Sequence, residues 1–402
     1  VSKLSPLERR SALTLALVIS LRLFGLFLIL PVFSVYARAM PDATPALIGL
    51  ALGVYGIGQM CLQIPMGLLS DRIGRKPAIT LGLLVFATGG LVAVFSHTLT
   101  GIAVGRALQG MGAVAGAGTA LAADLTRDTQ RAKVMGIIGV SIGASFLLAL
   151  VVGPPLEALT GLGGLFGVTS LLAIVAIVLL WLLVPTPVQA GQGQAASLRE
   201  LTGMLADRRL WLLNGSVFFL HALLTASFVG LPILLTDVMH LPVVAQWRLY
   251  LPVMVIAALV MGAFMSRMRD TGHSARLIVA CVGALGVSLA TMAASQASVV
   301  VLGLAATVFF SAFNLLEAAL PSLVSRVVPS TMRGAAMGAY STSQFFGAFV
   351  GGALGGVALG RFGLHGVFAC AAALTLLWLP LALWGARRLD RNALAPASPS
   401  MG

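Results

Sequence analysis

An all-α membrane protein, built as two pseudo-symmetric six-helix bundles, is what this sequence predicts, and three observations carry the prediction. The 402 residues are 59% hydrophobic and only 9% charged, with a mean hydropathy of +1.02. Charged residues make up about 25% of an ordinary soluble domain, so this composition cannot cover a water-soluble globule. Second, the apolar residues fall into twelve runs, each able to supply the roughly 20 residues of a membrane-spanning helix. Third, the two halves of the chain share a faint repeat. Together these exclude a soluble enzyme, a secreted disulfide scaffold and a disordered chain.

The runs are 11–37, 46–69, 78–96, 101–125, 134–156, 164–184, 210–235, 246–266, 276–294, 298–323, 335–357 and 365–385, cut at charged or Pro/Gly-rich breaks. Strands are not expected. In lipid only helices and closed barrels satisfy their backbone, and barrel strands would alternate polar with apolar residues. The first run has a positive flank, VSKLSPLERR, without a small-residue cleavage site behind it, so it reads as a retained span.

Lys and Arg set the expected orientation. Of 25 basic residues, 20 lie in the N-terminal tail, alternate loops and the C-terminal tail; the opposite loops hold only Arg38, Arg248 and Arg361. Both termini are therefore expected in the cytoplasm. The net charge of +13 comes in small clusters between apolar runs, whereas nucleic-acid binding needs a contiguous basic face, so no nucleic-acid partner is expected. Cys61, Cys281 and Cys370 each sit inside an apolar run and share no metal-ligand spacing, which reads as three buried free thiols.

The expected domains are a first bundle at 1–184, a cytoplasmic linker at 185–209, a second bundle at 210–385 and a cytoplasmic tail at 386–402. The repeat relates the bundles. FLILPVF (27–33) aligns with FVGLPIL (228–234) at an offset of 201, and Arg131-x3-Met135-Gly136 with Arg333-x3-Met337-Gly338 at 202. Two distant anchors with nearly one offset imply an axis along the membrane normal and a cavity between the bundles.

The most specific local string is Gly67-x3-Asp71-Arg72-x-Gly74-Arg75-Lys76, after the second run. A tight basic turn accounts for Gly74 and the cations but not for Asp71. An acid among cations at a helix end can pair with them and with the positive N-terminus of a neighbouring helix, which makes a latch. The string resembles motif A of the major facilitator superfamily without a departure. Arg106-Ala-Leu-Gln109-Gly110 is similar to the same family's motif B. Gly143 and Gly153-Pro154 resemble its motif C only partly, since Pro155-Leu-Glu157 stands where further glycines are usual, and the second-half copy of motif A around Ser266–Arg276 is badly degraded. SLRLFGLFLILPV, QIPMGLLSDRIGRKP, AFNLLEAALPSLVS and GAYSTSQFFG resemble a bacterial inner-membrane branch of that superfamily across all twelve runs. That branch also carries a soluble C-terminal domain, whose function the short tail RRLDRNALAPASPSMG is not expected to supply.

The resemblance implies a proton-driven, drug-efflux-like antiporter working by alternating access in the bacterial inner membrane. It implies that Asp71 packs toward the start of span eleven, near Gly334–Gly338, in the outward-open state, with Arg75 as partner. For Arg106 it implies a part in proton coupling, with Gln109 one turn on to orient it.

Charges inside the runs argue independently, because each costs about 2.5–3.5 kcal/mol at the bilayer centre on insertion scales. Arg22, Arg106 and Glu317 are clearly inside, and Asp124 lies near the end of the fourth run. Glu317 is the sole deep carboxylate and shares a helix face with Asn314. It reads either as a proton site or as half of a permanent ion pair between the bundles. Arg22 reads as the partner of a carboxylate or an anionic substrate, or as a donor to backbone carbonyls. Polar residues at helical spacing mark candidate cavity walls: Tyr55, Gln59 and Gln63; Tyr340, Ser343 and Gln344; His221 and Thr225. In lipid such a side chain more often bonds another helix than a substrate. Gly347-x3-Gly351-x3-Gly355 and Gly112-x3-Gly116 read as close helix packing. Met254, Met261, Met265 and Met268 do not share one face, so copper transport is disfavoured.

The expected function is thus a proton-coupled exporter of amphipathic small molecules, energised by a proton gradient, with no cofactor or metal. Its expected partners are that small molecule, protons and membrane lipid, and the chain is expected to be a monomer. Alternatives are a lipid or glycolipid flippase, a sugar exporter, or a non-transporting sensor or scaffold of the same fold. An enzyme is not expected, as no nucleophile–base pair is present, nor is ATP-driven pumping, as no G-x4-G-K-[ST] loop exists.

Overall fold

The computed structural model describes residues 4–186, 207–267, 274–294, 298–329 and 332–393. Most of the 185–209 linker, the last residues of the 386–402 tail, Met268 and the centre of the degraded second motif lie outside the described residues. Within them the chain is helical, without strands: α1 (Pro6–Leu28), α2 (Phe33–Tyr36), α3 (Pro45–Ile73), α4 (Arg75–Val94), α5 (Leu99–Met111), α6 (Ala115–Asp124), α7 (Asp128–Leu183), α8 (Arg208–Ile233), α9 (Trp247–Arg267), α10 (Ser274–Ala294), α11 (Val299–Val327) and α12 (Arg333–Ala393). Nine helical stretches among the described residues are long and apolar enough to cross a membrane.

Local chemistry sets the boundaries. A capping box opens α1: Ser5 N–H donates to Glu8 Oε2 (2.8 Å) and Glu8 N–H to Ser5 Oγ (3.2 Å), with Pro6 at the first helical position. At α3 the Thr44 hydroxyl accepts from Leu47 N–H (3.2 Å) with Pro45 at the first helical position, and Thr98 caps α5. Gly74 has φ +96°, a conformation that glycine alone adopts without strain, and it divides α3 from α4.

Two helices are too long to be single spans. At 1.5 Å per residue, the 56 residues of α7 and the 61 of α12 would run roughly 80–90 Å, about three bilayer cores. Each breaks at one glycine, Gly161 (φ +71°) and Gly363 (φ +70°). The first limb of α7 packs on α1 at Gly153 against Leu28 O, and the second at Thr169 against Gly25. Likewise Gly347 of α12 abuts Phe218 O, while Trp378, on the returning limb, donates to Ser216 Oγ (3.2 Å). The apolar runs therefore fall on separate helical segments, with one correction: two of them are broken. The first, 11–37, parts at residues 29–32 between α1 and α2. The fourth run, 101–125, is broken at Gly112–Val114 into α5 and α6, where a Cβ on Gly112 would stand 2.4 Å from Gly82 O.

The two halves meet at one end of the molecule and part at the other. Along α3 and α12 the contact is glycine on glycine: a Cβ on Gly49 would stand 2.2 Å from Gly352 O, one on Gly53 2.8 Å from Phe349 O, and one on Gly56 2.3 Å from Phe345 O. Phe146 bridges the middle, with ring centroids 5.0 Å from Phe27 and 6.2 Å from both Phe228 and Phe310. At the rim, Ser34 Oγ donates to Phe228 O (3.2 Å) and Arg38 grips Asp237 with two bonds, 2.6 and 3.1 Å. A cavity of about 420 Å³ beside that pair is lined by Arg38, Thr44, Ile48, Ile233, Asp237 and Leu364 among others; none of the predicted cavity residues reaches it. Toward the Arg75 end the seam dissolves. A Cβ on Gly338 would meet only Ile64, at 3.9 Å, and one on Gly67 or Gly334 nothing within 4 Å.

Buried thiols are a second correction. All three cysteines are free, but only Cys281 is buried; Cys61 is exposed and Cys370 intermediate. Gly347, Gly351 and Gly355 do pack closely, against α8 within the second half, while the neighbouring Gly352 and Gly356 face α3.

Two measurements follow from this arrangement. Gly49→Ala overpacks the seam, which costs about 1–3 kcal/mol. In a cysteine-free background it is expected to speed labelling of a Ser34→Cys reporter, buried at the sealed end, by roughly five- to 150-fold; an unchanged rate means the seam does not hold that end shut. Asp42 takes the free N-terminal amides of α5, accepting from Leu99 N (2.6 Å) and Thr100 N (2.9 Å), and also from Thr100 Oγ1 (2.6 Å). These bonds, the Thr100 hydroxyl first, lower its carboxyl from 3.8 to about 2. A depressed carboxyl stabilises above its unfolded value and loses that contribution as pH falls through its folded one. Asp42→Asn is therefore expected to lower Tm at pH 7, with the two melting curves converging as pH approaches about 2.

Candidate functional site

The predicted site residues gather into three groups. The first lies in the core of the first half. Arg22, 1% exposed, donates through Nη2 to Tyr55 OH (2.7 Å), Gln59 Oε1 (2.8 Å) and Gly112 O (3.1 Å). The break between α5 and α6 presents that carbonyl. Gln59 passes the chain on to Gln63 Oε1 (2.8 Å), so the i, i+4, i+8 face of α3 is a hydrogen-bonded ladder ending on a cation. Arg106, equally buried, donates from Nε to Ala51 O and from Nη2 to Leu52 O, both at 3.0 Å. The Tyr55 ring stands between the two guanidiniums, 6.0 Å from Arg22 and 5.7 Å from Arg106. No described carboxylate lies within 4 Å of either arginine. Neutral oxygens solvate both charges, and such charge-assisted bonds are the strong ones. Gln109 turns away from Arg106: wholly buried, it donates to Thr169 Oγ1 (3.1 Å).

The second group lies in the second half and is built of side chains alone. Gln344 Nε2 donates to Glu317 Oε1 (3.2 Å) and meets His221 Nε2 at 2.8 Å, while His221 Nε2 stands 3.7 Å from Glu317 Oε2. His221 Nδ1 faces Val217 O at 3.2 Å. A carbonyl only accepts, so Nδ1 carries the ring proton and Nε2 is left to accept from Gln344. Both amide hydrogens of Gln344 are thereby spoken for. Glu317 is less buried than His221, 38% exposed at the side chain against 13%, and its Oε2 has no donor. Asn314, one turn before it, is half-buried, and Tyr340, one turn before Gln344, is buried with an unpartnered hydroxyl. The pair expected across the bundles is not formed: Glu317's partners lie within its own half, and no arginine is among them.

The third group is the α3–α4 turn. Asp71 is 57% exposed and pairs with Arg75, which also donates to Asp124 Oδ2 (3.1 Å) and Ser70 Oγ (2.7 Å). Lys76 leaves the turn, donating to Val184 O (2.8 Å) with its ammonium 4.6 Å from the Trp181 ring centroid. Arg72 is exposed, Gly74 makes the turn, and Gly67 lies within α3 with nothing within 4 Å of an added Cβ. Among the described residues Asp71 forms its ion pair with Arg75 and none with the start of α12.

Sequence reasoning passed over Arg38–Asp237, the Asp42 cap and the Gly49/Gly352 seam. It also passed over Glu157, 5% exposed and noted only as a departure from a glycine pattern. Of the methionine set, Met254 is buried. No cluster of three His, Cys, Asp or Glu groups suited to a metal is present among the described residues.

The sequence profile of the Major Facilitator Superfamily matches residues 15–351. The chain belongs to that family. Over 382 residues it is 42% identical to the inner membrane transport protein YajR of Escherichia coli (strain K12), covering 94% of this chain and 84% of that protein. It is also 34% identical over 156 residues to the class B tetracycline resistance protein of Escherichia coli, covering 38% of each. Among solved structures, the nucleoside transporter NupG shares the fold, with a TM-score of 0.74 at 15% identity, covering 95% of this chain and 99% of that one. The chain is therefore a multi-pass membrane transporter of the major facilitator fold, and not an enzyme.

Proposed function

We propose that this transporter is a proton-coupled exporter of amphipathic small molecules. It is placed in a bacterial inner membrane with twelve spans and both termini in the cytoplasm. The observation that carries the reading is the Glu317–Gln344–His221 group: a carboxylate with no guanidinium partner among the described residues and a side chain 38% exposed. It shares one amide donor, Gln344 Nε2, with His221. A carboxylate so placed exchanges protons with whichever side its cavity faces. The positive-inside distribution makes the Arg75 end cytoplasmic, so the structure is read as the inward-facing member of an alternating pair. The tetracycline resistance relative supports the efflux reading.

In the exchange we envisage, Glu317 gives up its proton to the cytoplasm and an amphipathic substrate enters between the halves. Rocking about the Phe146 contact then closes the Arg75 end and opens the Arg38 end. There the substrate leaves and Glu317 is reprotonated. Closure brings Asp71 to the start of α12, whose first amides carry the positive end of the helix dipole. In the inward-facing state Asp71 is parked on Arg75.

Proteoliposomes carrying a pH-sensitive dye test this. Substrate addition is expected to drive proton movement, and Glu317→Gln to reduce it at least tenfold with an unchanged melting temperature. Full proton-driven transport in that variant removes Glu317 from the mechanism, and silence of the unmodified protein toward dyes, antibiotics, sugars and lipids favours a sensor or scaffold. Asp71→Asn is expected to slow turnover about two- to fivefold, the range of a helix-terminus charge worth about 0.3–1 kcal/mol; an undiminished rate counts against the latch.

A further inference from the structure

Glu157 follows Gly153-Pro154-Pro155 on the first limb of α7, at the sealed Arg38 end. Its side chain is 5% exposed and its Oε2 has no hydrogen-bond partner. What surrounds it belongs to both halves. From α2 the Tyr36 hydroxyl lies beside the carboxyl. From the second half the Val243–Ala245 turn packs on α7, and so does α9. Val32, Leu165 and Val243 form an apolar cluster there, with Leu156, the residue before Glu157, packed against it. Among the described residues no cation faces the carboxyl. Arg38 is taken up by Asp237, Arg248 of α9 is exposed with its guanidinium 5.9 Å from the Trp247 ring centroid, and His240, before the turn, is exposed. Tyr36 is the one titratable group acting on it.

A carboxylate in such a place has lost its water and gained no counter-charge, a cost large enough that the group takes up a proton instead. Parting of the halves at the Arg38 end removes the Val243 side of the enclosure and returns the carboxyl to water, where it ionises at neutral pH. We infer that Glu157 is a proton-binding site of the outer seam, filled as this end closes and emptied as it opens. The proton enters from, and leaves to, the same side, so the site carries no net proton across the membrane. Instead it makes closure pH-dependent: acid on the Arg38 side favours the sealed state. This goes beyond the Glu317 exchange but rests on the reading that the protein alternates between two access states.

The sign and size follow from linkage. One group that binds a proton only in the sealed state changes the ratio of open to sealed molecules by up to tenfold per pH unit. The experiment uses the full chain in nanodiscs, with spin labels at Phe95→Cys and Phe362→Cys, one on each half, 75% and 66% exposed, in a background lacking Cys61, Cys281 and Cys370. Distance distributions are recorded from pH 5 to pH 9. The open fraction is expected to rise with pH. In Glu157→Gln, which mimics the neutral acid, the slope is expected to fall by up to one proton's worth, while Glu157→Asp retains it.

Slopes in Glu157→Gln parallel to the parent overturn the site, whether or not the open fraction is displaced, because displacement without a slope change is what a purely structural contact with Tyr36 gives. A single distance population at every pH in all three proteins removes the alternation itself, and the Glu157 site with it. That outcome is distinct from two populations whose ratio ignores position 157.

Discussion

Hydrocarbon offers a polar group no partner, so every donor, acceptor and charge in this chain must be satisfied by the chain itself. The first half meets the demand in part with backbone, leaving Arg22 Nε and Arg106 Nη1 without a partner. Arg22 uses the carbonyl released where the fourth run breaks, and Arg106 uses two carbonyls of α3. Such partners are fixed to helices, so the two buried cations act as bolts that hold α1, α3 and α5 in register. One hydrophobic cluster lies within the first half and another runs across both halves.

The second half meets the same demand with side chains. Glu317, Gln344 and His221 stand on α11, α12 and α8, so relative movement of any of these helices changes who holds which hydrogen. Gln344 has only two to give. A second proton on His221 would end its role as an acceptor and leave a cation facing Glu317 Oε2 across the present 3.7 Å. The two halves, related by sequence repeat, thus hold their polar groups differently: one largely on backbone carbonyls, the other on side chains from three helices.

Composition and run length were enough to predict helices throughout, because a lipid-facing chain has so few alternatives. Motif spacing located the Asp71–Arg75 turn, and helical spacing found Tyr55, Gln59 and Gln63 as one face. What could not be read was partnership. Whether Arg22 meets an acid or a carbonyl depends on the break at Gly112, and nothing in 101–125 looks less apolar there. Glu317 read either as a proton site or as half of an ion pair, and nothing in the sequence named the Gln344 amide that bonds it at 3.2 Å or the His221 ring 3.7 Å away. Gly49 and Gly352 were hidden for a different reason. In a chain with 46 glycines, the few that mark the seam look like all the others until their neighbours are known.

The single-glycine turns at 161 and 363 have a mechanical consequence. With no slack between limbs, α7 and α12 each behave as a stiff bracket, the first clasping α1 and the second clasping α8. Those corners are exposed but tight, turning at one residue rather than through a loop. A tag or fusion grafted there would have to pry a bracket apart, whereas a chain end has no such closure to spoil.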